Sequence, residues 1–74
     1  MKPTIGRIVH YTFLNDMALP EEGQSRTVPA IIVAVWSDDC VNLRVFQDGP
    51  GVPLWKTSIV EKSASHGGDY WEWP

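Results

Sequence analysis

Hydrophobic residues occur along the chain in five short runs, and none of the runs has the i, i+3, i+4 spacing of an amphipathic helix. The runs read RIVHYTFL, PAIIVAVWS, CVNLRVFQ, VPLWKTSIV and YWEWP, and they cover residues 7–14, 29–37, 40–47, 52–60 and 70–74. They are rich in β-branched and aromatic residues, and glycine, proline and acidic residues fill the intervals between most of them. The pattern predicts five β-strands joined by turns and loops, with no long helix.

The second and third runs predict a β-hairpin with its turn at SDDC. The second run is almost continuously apolar, which is typical of a strand that is covered on both faces, so we place it at the centre of the sheet. The third run alternates strictly, and one of its faces is aliphatic, with Val41, Leu43 and Val45. Its opposite face carries Asn42, Arg44 and Phe46.

Five short strands in one small chain predict an all-β fold, a five-stranded SH3-like barrel, with an OB-like barrel as the alternative. Residues 15–27, NDMALPEEGQSRT, lack periodicity and are predicted to form the longest loop. The chain has 74 residues, of which 43% are apolar and 20% charged, and this composition is typical of a folded domain. We therefore expect a single domain over residues 1–74.

The composition also indicates the cellular compartment in which the protein is expected. The single cysteine, Cys40, excludes an internal disulfide and a CxxC zinc pair, and a protein of this kind fits a reducing cytoplasm. The N-terminal residues do not read as a signal peptide, and the longest apolar run is far shorter than the roughly 20 residues of a membrane span. We expect a cytoplasmic protein with no membrane contact.

No motif indicates catalysis. Cys40, His10 and either Asp38 or Asp39 could in principle form a nucleophile, a base and an orienting group, but no family signature surrounds Cys40. Cys40 is therefore interpreted as a small buried or half-buried thiol. His10 and His66 do not match a metal-ligand spacing, and no phosphate-binding glycine motif is present. We predict no enzyme activity, no catalytic residue, no metal and no cofactor. His10 is predicted to make a local hydrogen bond.

The aromatic C-terminal run GGDYWEWP has two interpretations. Trp71 and Trp73 lie on one face of an extended strand, and Tyr70 and Glu72 lie on the other. We predict that the tail, with Tyr70, Trp71 and Trp73, is structural and closes the barrel against the first strand, because two buried tryptophans stabilise a small core strongly. The alternative is an exposed aromatic platform.

Partner binding is the function that these residues favour. Phe46 and Arg44 share the face opposite the core, and Trp55 and Trp36 are further candidates because SH3-like barrels bind peptides with aromatic residues. An apolar ring on an outer face predicts that a second copy, in a homodimer, or another protein covers it. The net charge of −3 and the scattered basic residues disfavour nucleic acid. The alternative function is single-stranded nucleic-acid binding, with Arg44, Lys56 and Arg7 contacting phosphates.

Three segments, GRIVHY, PAIIVAVW with VNLRVF, and GGDYWEWP, resemble a family of small uncharacterised bacteriophage and prophage proteins. The resemblance covers most of the chain outside residues 15–27. The family ends in a GxWHWP-type motif, and this chain has Glu72 in place of the histidine, which weakens any role of the tail as a ligand. The resemblance implies a phage origin and no known activity. We expect an accessory, protein-binding module that modulates a bacterial host protein or joins a phage assembly in the infected cell.

Overall fold

The computed structural model describes residues 1–14 and 27–74, which form a closed five-stranded barrel. The strands are β1 (Ile8–Thr12), β2 (Thr27–Val35), β3 (Cys40–Val45), β4 (Leu54–Glu61) and β5 (Tyr70–Glu72). They neighbour one another in chain order, and a short 3-10 helix at Lys62–Ala64 follows β4. The predicted all-β, five-stranded barrel is confirmed, and this strand order is compatible with both the SH3-like and the OB-like alternative. Of the predicted loop, only Thr27 lies within the described residues, and it begins β2.

The barrel has one hydrophobic interior. Alternate residues of β1, β2 and β3 point into it, with Trp71 of β5 and with Phe13 just after β1, and β4 contributes the partly buried Leu54 and Ile59. The ten buried hydrophobic residues are Val9, Tyr11, Phe13, Val28, Ala30, Ile32, Val41, Leu43, Val45 and Trp71. The hairpin of β2 and β3 and the inward face of β3 are as predicted. Because a single row from each strand fills this interior, the outer rows stay at the surface.

The prediction that β2 is covered on both faces is wrong. Its inward residues are buried, but Val33 and Val35 on the rest of the strand are exposed. In a small barrel a strand has only one covered face, so the near-continuous apolar sequence of β2 reflects apolar side chains on the outer surface and no second layer.

Asn42 alternates with the inward Val41 and Leu43, as predicted, but the expectation that it is exposed is wrong, because Asn42 is only 7% exposed. The pairing of β3 with β4 shifts beside it, since Val41 pairs with Ile59 whereas Leu43 pairs with Lys56. Two residues of β4 therefore face one residue of β3, which is a β-bulge. Hydrogen bonds from the bulge and from Trp36 cover the side chain of Asn42.

The C-terminal strand closes the barrel. As predicted, β5 pairs with β1, and it also pairs in parallel with the end of β4. Trp71 is fully buried, and its Nε1–H donates to the carbonyl oxygen of Asp39 at 3.1 Å. The backbone N–H of Glu61 donates to the same oxygen at 2.7 Å. One carbonyl of the β2–β3 turn thus joins three parts of the sheet.

The rest of the tail supports this closure. The Trp73 ring packs edge-on against Trp71, with ring centroids 5.2 Å apart, and it is partly buried against the core. Just before β5, the carboxylate of Asp69 accepts hydrogen bonds from the hydroxyl of Tyr11 and from the backbone N–H of Leu14, the latter at 2.6 Å. The residue before β5 is therefore held both to β1, at Tyr11, and to the chain just after β1, at Leu14.

The connection between β4 and β5 starts with a capped turn. The carboxylate of Glu61 accepts hydrogen bonds from Ser63, at 2.6 Å from its hydroxyl and at 3.0 Å from its backbone N–H. These bonds favour the charged form and hold the pKa of Glu61 below its ordinary value. The capping hydrogen bonds fix the direction in which the chain leaves β4.

Trp71→Ala is expected to unfold the barrel or to lower its melting temperature by well over 10 °C. A buried tryptophan replaced by alanine costs about 3–5 kcal/mol, and about 2 kcal/mol already shifts a domain of this size by roughly 10 °C. Deletion of residues 70–74 should have the same effect. Thermal unfolding followed by circular dichroism measures it, and Trp55→Ala, which removes an exposed tryptophan, is the matched control. Normal melting of the Trp71 variant would show that the tail is dispensable for the fold.

Candidate interaction surface

Four large side chains lie on the outer surface of β2, β3 and β4, and we call them the aromatic face: Trp36, Arg44, Phe46 and Trp55. Trp36 is 66% exposed, Trp55 55% and Phe46 39%, and Arg44 is exposed too. These are the four residues predicted to bind a partner, and the fold places all four on one side of the barrel. None of them contributes to the core.

Strand pairing brings these residues together. Arg44 of β3 is the register partner of Trp55 on β4 and of Ile31 on β2, and Ile31 in turn pairs with Ile8 on β1. Register partners point to the same face of a sheet, so these residues form one row across four strands. Phe46 lies two residues beyond Arg44 on the same face, and its N–H donates to the carbonyl oxygen of Pro29 at 3.0 Å. Arg44 thus has apolar neighbours on both sides of its strand.

Trp36 is exposed and yet fixed in place. Its indole Nε1–H donates to Oδ1 of Asn42 at 2.8 Å, and its backbone N–H donates to the carbonyl oxygen of Cys40 at 2.9 Å. Asn42 is nearly buried, so the indole is tied to the sheet rather than to a mobile group. With its single N–H donor used, Trp36 offers only its apolar ring surface to a partner.

The β4 bulge is tied to the same oxygen. Ser58 has a φ of 56°, in the left-handed region that residues with a side chain rarely adopt, and this conformation costs about 1–2 kcal/mol. Oδ1 of Asn42 accepts hydrogen bonds from the Ser58 N–H at 2.9 Å and from the Thr57 hydroxyl at 3.0 Å. Asn42 therefore stabilises the bulge and positions Trp36 with one atom.

The tail residues lie away from the aromatic face. Trp71 is in the core, Trp73 packs against it, and Tyr70 is half-buried with the Lys62 ammonium 5.6 Å from its ring centroid. The tail is therefore positioned by the pairing of β5 with β1 and β4.

The three cations of the nucleic-acid alternative are not gathered on the aromatic face. Lys56 pairs with the buried Leu43 and alternates with Trp55, so it belongs to the other face of β4. Arg7 precedes β1, and its Nε–H donates to the hydroxyl of Thr4 at 3.3 Å. Arg44 is the one member of the three that lies beside Trp55.

Among the residues that the structure describes, the side chains considered for catalysis, Cys40, His10 and Asp38 or Asp39, share no hydrogen bond. Cys40 is a half-buried free thiol at the start of β3, and His66 is exposed in the loop before β5. The predicted hydrogen bond of the His10 side chain is not found among the described residues, because His10 occupies an outward position of β1 between Glu72 and Pro29. Within residues 1–14 and 27–74, no cluster of three His, Cys, Asp or Glu residues is placed to hold a metal ion. The same ranges contain no helix long and apolar enough to cross a membrane.

Two structural residues were missed by sequence reasoning. Asn42 was assigned to the surface, although asparagine is depleted in strands and its place between Val41 and Leu43 was a signal that its side chain has a specific partner. Asp69 precedes the last predicted strand, and its contacts with Tyr11 and Leu14 span more than 50 residues of chain. No local pattern points to such a contact.

Comparisons with known protein families, with curated proteins and with solved structures find no match for this chain. The interpretation of the aromatic face therefore depends on its geometry and chemistry.

Asn42→Ala is expected to destabilise the protein by about 2–3 kcal/mol, because it leaves the N–H groups of Ser58 and Trp36 without their acceptor. Asn42→Asp keeps an acceptor oxygen at the same position and should cost less. Urea unfolding gives the loss of stability, and the NMR signal of the Trp36 indole N–H reports its release. An Asn42→Ala protein with unchanged stability and an unmoved Trp36 signal would contradict this role.

Cys40→Ser is expected to leave the fold intact and the melting temperature within a few degrees of wild type, because Cys40 is half-buried and unpaired with another thiol. The measurement is thermal unfolding under reducing conditions. A folded variant that loses a biological activity of the protein would instead identify Cys40 as a reactive or metal-binding thiol.

Proposed function

We propose that this protein is a small binding module that docks onto another protein through its aromatic face. The observation that carries the proposal is the exposure of Trp36, Arg44 and Trp55 on one side of a barrel whose core is completed by Trp71. The fold does not use the apolar surface of these residues, and such surface on a soluble protein marks an interaction site.

The chemistry of the face supports protein recognition. Tryptophan and arginine are the residue types that carry most of the binding energy at protein interfaces, and a tryptophan buries about 150–250 Å². Trp36 is already fixed by Asn42, so it loses little conformational freedom when a partner covers it. A fixed tryptophan ring and an arginine on the same face are typical of the centre of a protein interface.

The biological setting of the proposal follows from the resemblance to phage and prophage proteins. The module acts in the cytoplasm of the infected bacterium, where it modulates a host protein or joins a phage assembly. A homodimer through the aromatic face is the other way to cover the same surface. The module performs no catalysis and requires no cofactor.

Single-stranded nucleic-acid binding is the second candidate, because Arg44 lies beside Trp55 and a base stacks well on an exposed indole. The position of Lys56 on the other face of β4 weakens it, since the phosphate chain would meet one cation on this surface. The net charge of −3 also opposes a polyanion.

Photo-crosslinking tests the docking surface. A benzophenone amino acid in place of Phe46 is expected to crosslink a specific protein in bacterial cells, because position 46 lies on the aromatic face. The same probe in place of Val52, an exposed residue of the β3–β4 loop, is the control. Adding Trp55→Ala to the position-46 probe should abolish the crosslink while the protein stays folded. Crosslinks that persist in the Trp55 variant would contradict docking through this face.

A labelled single-stranded oligonucleotide distinguishes the second candidate. We expect no change of its fluorescence anisotropy with micromolar protein at low salt. Binding that weakens as salt is added, and that Trp55→Ala removes, would favour a nucleic acid over a protein as the partner.

A further inference from the structure

Arg44 is an isolated charge at the centre of the aromatic face. Its two neighbours across the strands are Ile31 and Trp55, and its neighbours two residues along β3 are Asn42 and Phe46. None of these four carries a carboxylate. Arg44 makes no ion pair or hydrogen bond with any residue that the structure describes. The oxygen of Asn42 is directed to Trp36, Thr57 and Ser58 instead.

This isolation restricts what can cover the face. A partner that seals the aromatic face removes water from the Arg44 guanidinium, and a buried charge without an acceptor costs several kcal/mol. A partner with a purely apolar surface would therefore bind the aromatic face poorly, because it offers no acceptor to Arg44. A carboxylate meets the requirement best, because it accepts two parallel hydrogen bonds from a guanidinium.

We propose that the aromatic face recognises a protein segment that presents one Asp or Glu side chain between apolar residues. Arg44 binds the carboxylate, and Ile31 and Trp55 on either side of it contact the apolar neighbours. The fixed ring of Trp36 lies toward the turn end of the same surface and limits the segment there. This inference rests on the proposed function and specifies the partner's chemistry.

The charge of the rest of the chain sharpens the choice. The net charge is −3, so a strongly acidic segment would be repelled by the protein as a whole, whereas a single carboxylate is read locally by Arg44. A second copy of this chain fits worse. Two aromatic faces brought together place guanidinium groups near each other, and none of the neighbours of Arg44 on the face supplies a carboxylate to separate them.

Two blocked five-residue peptides test the inference by NMR titration of the labelled protein. One has a central glutamate between leucine and phenylalanine, and the other has glutamine in place of the glutamate. We expect the glutamate peptide to shift the side-chain N–H signals of Arg44 and Trp55 at millimolar concentration, and the glutamine peptide to bind about tenfold more weakly. Equal binding of the two peptides, or no shift with either, would overturn the inference.

Two matched variants locate the effect. Arg44→Gln should remove the difference between the two peptides, and Arg7→Gln, which changes an exposed arginine outside the aromatic face, should preserve it. Discrimination that survives Arg44→Gln contradicts the role of Arg44. Sedimentation of the wild type belongs to the same test, because a dimer that Phe46→Glu converts to a folded monomer would show that a second copy occupies the face.

The affinity of the protein identified by crosslinking distinguishes a failure of this inference from a failure of the proposed function. Its affinity is expected to fall by about tenfold or more with Arg44→Gln and with Trp55→Ala. If Trp55→Ala weakens binding but Arg44→Gln does not, the docking surface is supported and the proposal that Arg44 binds a carboxylate is wrong. If neither variant weakens binding, both proposals fail.

Discussion

The barrel depends on the burial of Trp71 at the seam between its first and last strands. The indole fills the interior, and its N–H reaches the carbonyl oxygen of Asp39 in the turn between β2 and β3, two strands that do not pair with β5. That oxygen also accepts the N–H of Glu61, so the β2–β3 turn, β4 and β5 share one acceptor. A chain of 74 residues buries a small core, and a large side chain at the closing point contributes a correspondingly large share of its stability.

Closure around a single interior also determines what is left outside. Once one row from each strand fills the core, the apolar residues of the alternate rows have no second layer to meet, and Ile8, Val33, Trp36 and Trp55 are all exposed. The same constraint places Arg44 outside, where its register partners are apolar. The aromatic face is thus a consequence of strand pairing between β2, β3 and β4, which follow one another in the chain.

Much of this fold could be predicted from alternation. The inward set of β3 follows from strict period-two spacing, and the pairing of β5 with β1 follows from two same-face tryptophans that a small barrel needs to bury. The two failures have different causes. The double cover expected for β2 assumes a second layer, whereas a small barrel covers only one face of each strand. The exposure expected for Asn42 assumes regular pairing, whereas β4 contains a bulge at Ser58 beside it. A bulge and a long-range contact such as that of Asp69 with Tyr11 leave no periodic trace in the sequence. The four residues of the aromatic face were predictable as exposed candidates, but the register was needed to place them on one side of the barrel.

Trp71 and Trp36 are both held by a hydrogen bond from the indole N–H, but one ring lies in the core and the other on the aromatic face. Each indole donates its N–H, at 3.1 Å to the Asp39 carbonyl and at 2.8 Å to the Asn42 side chain. The Trp71 ring, which donates to Asp39, is fully buried in the core. The Trp36 ring, which donates to Asn42, lies on the outer surface and is 66% exposed. A free exposed tryptophan would gain by turning its ring onto neighbouring apolar surface, and the hydrogen bond to Asn42 opposes that collapse. Asn42 in turn accepts the N–H of Ser58, whose left-handed conformation has a conformational cost that this hydrogen bond helps to offset. An exposed apolar ring is unfavourable for an isolated barrel, and the docking that we propose would remove that ring from water.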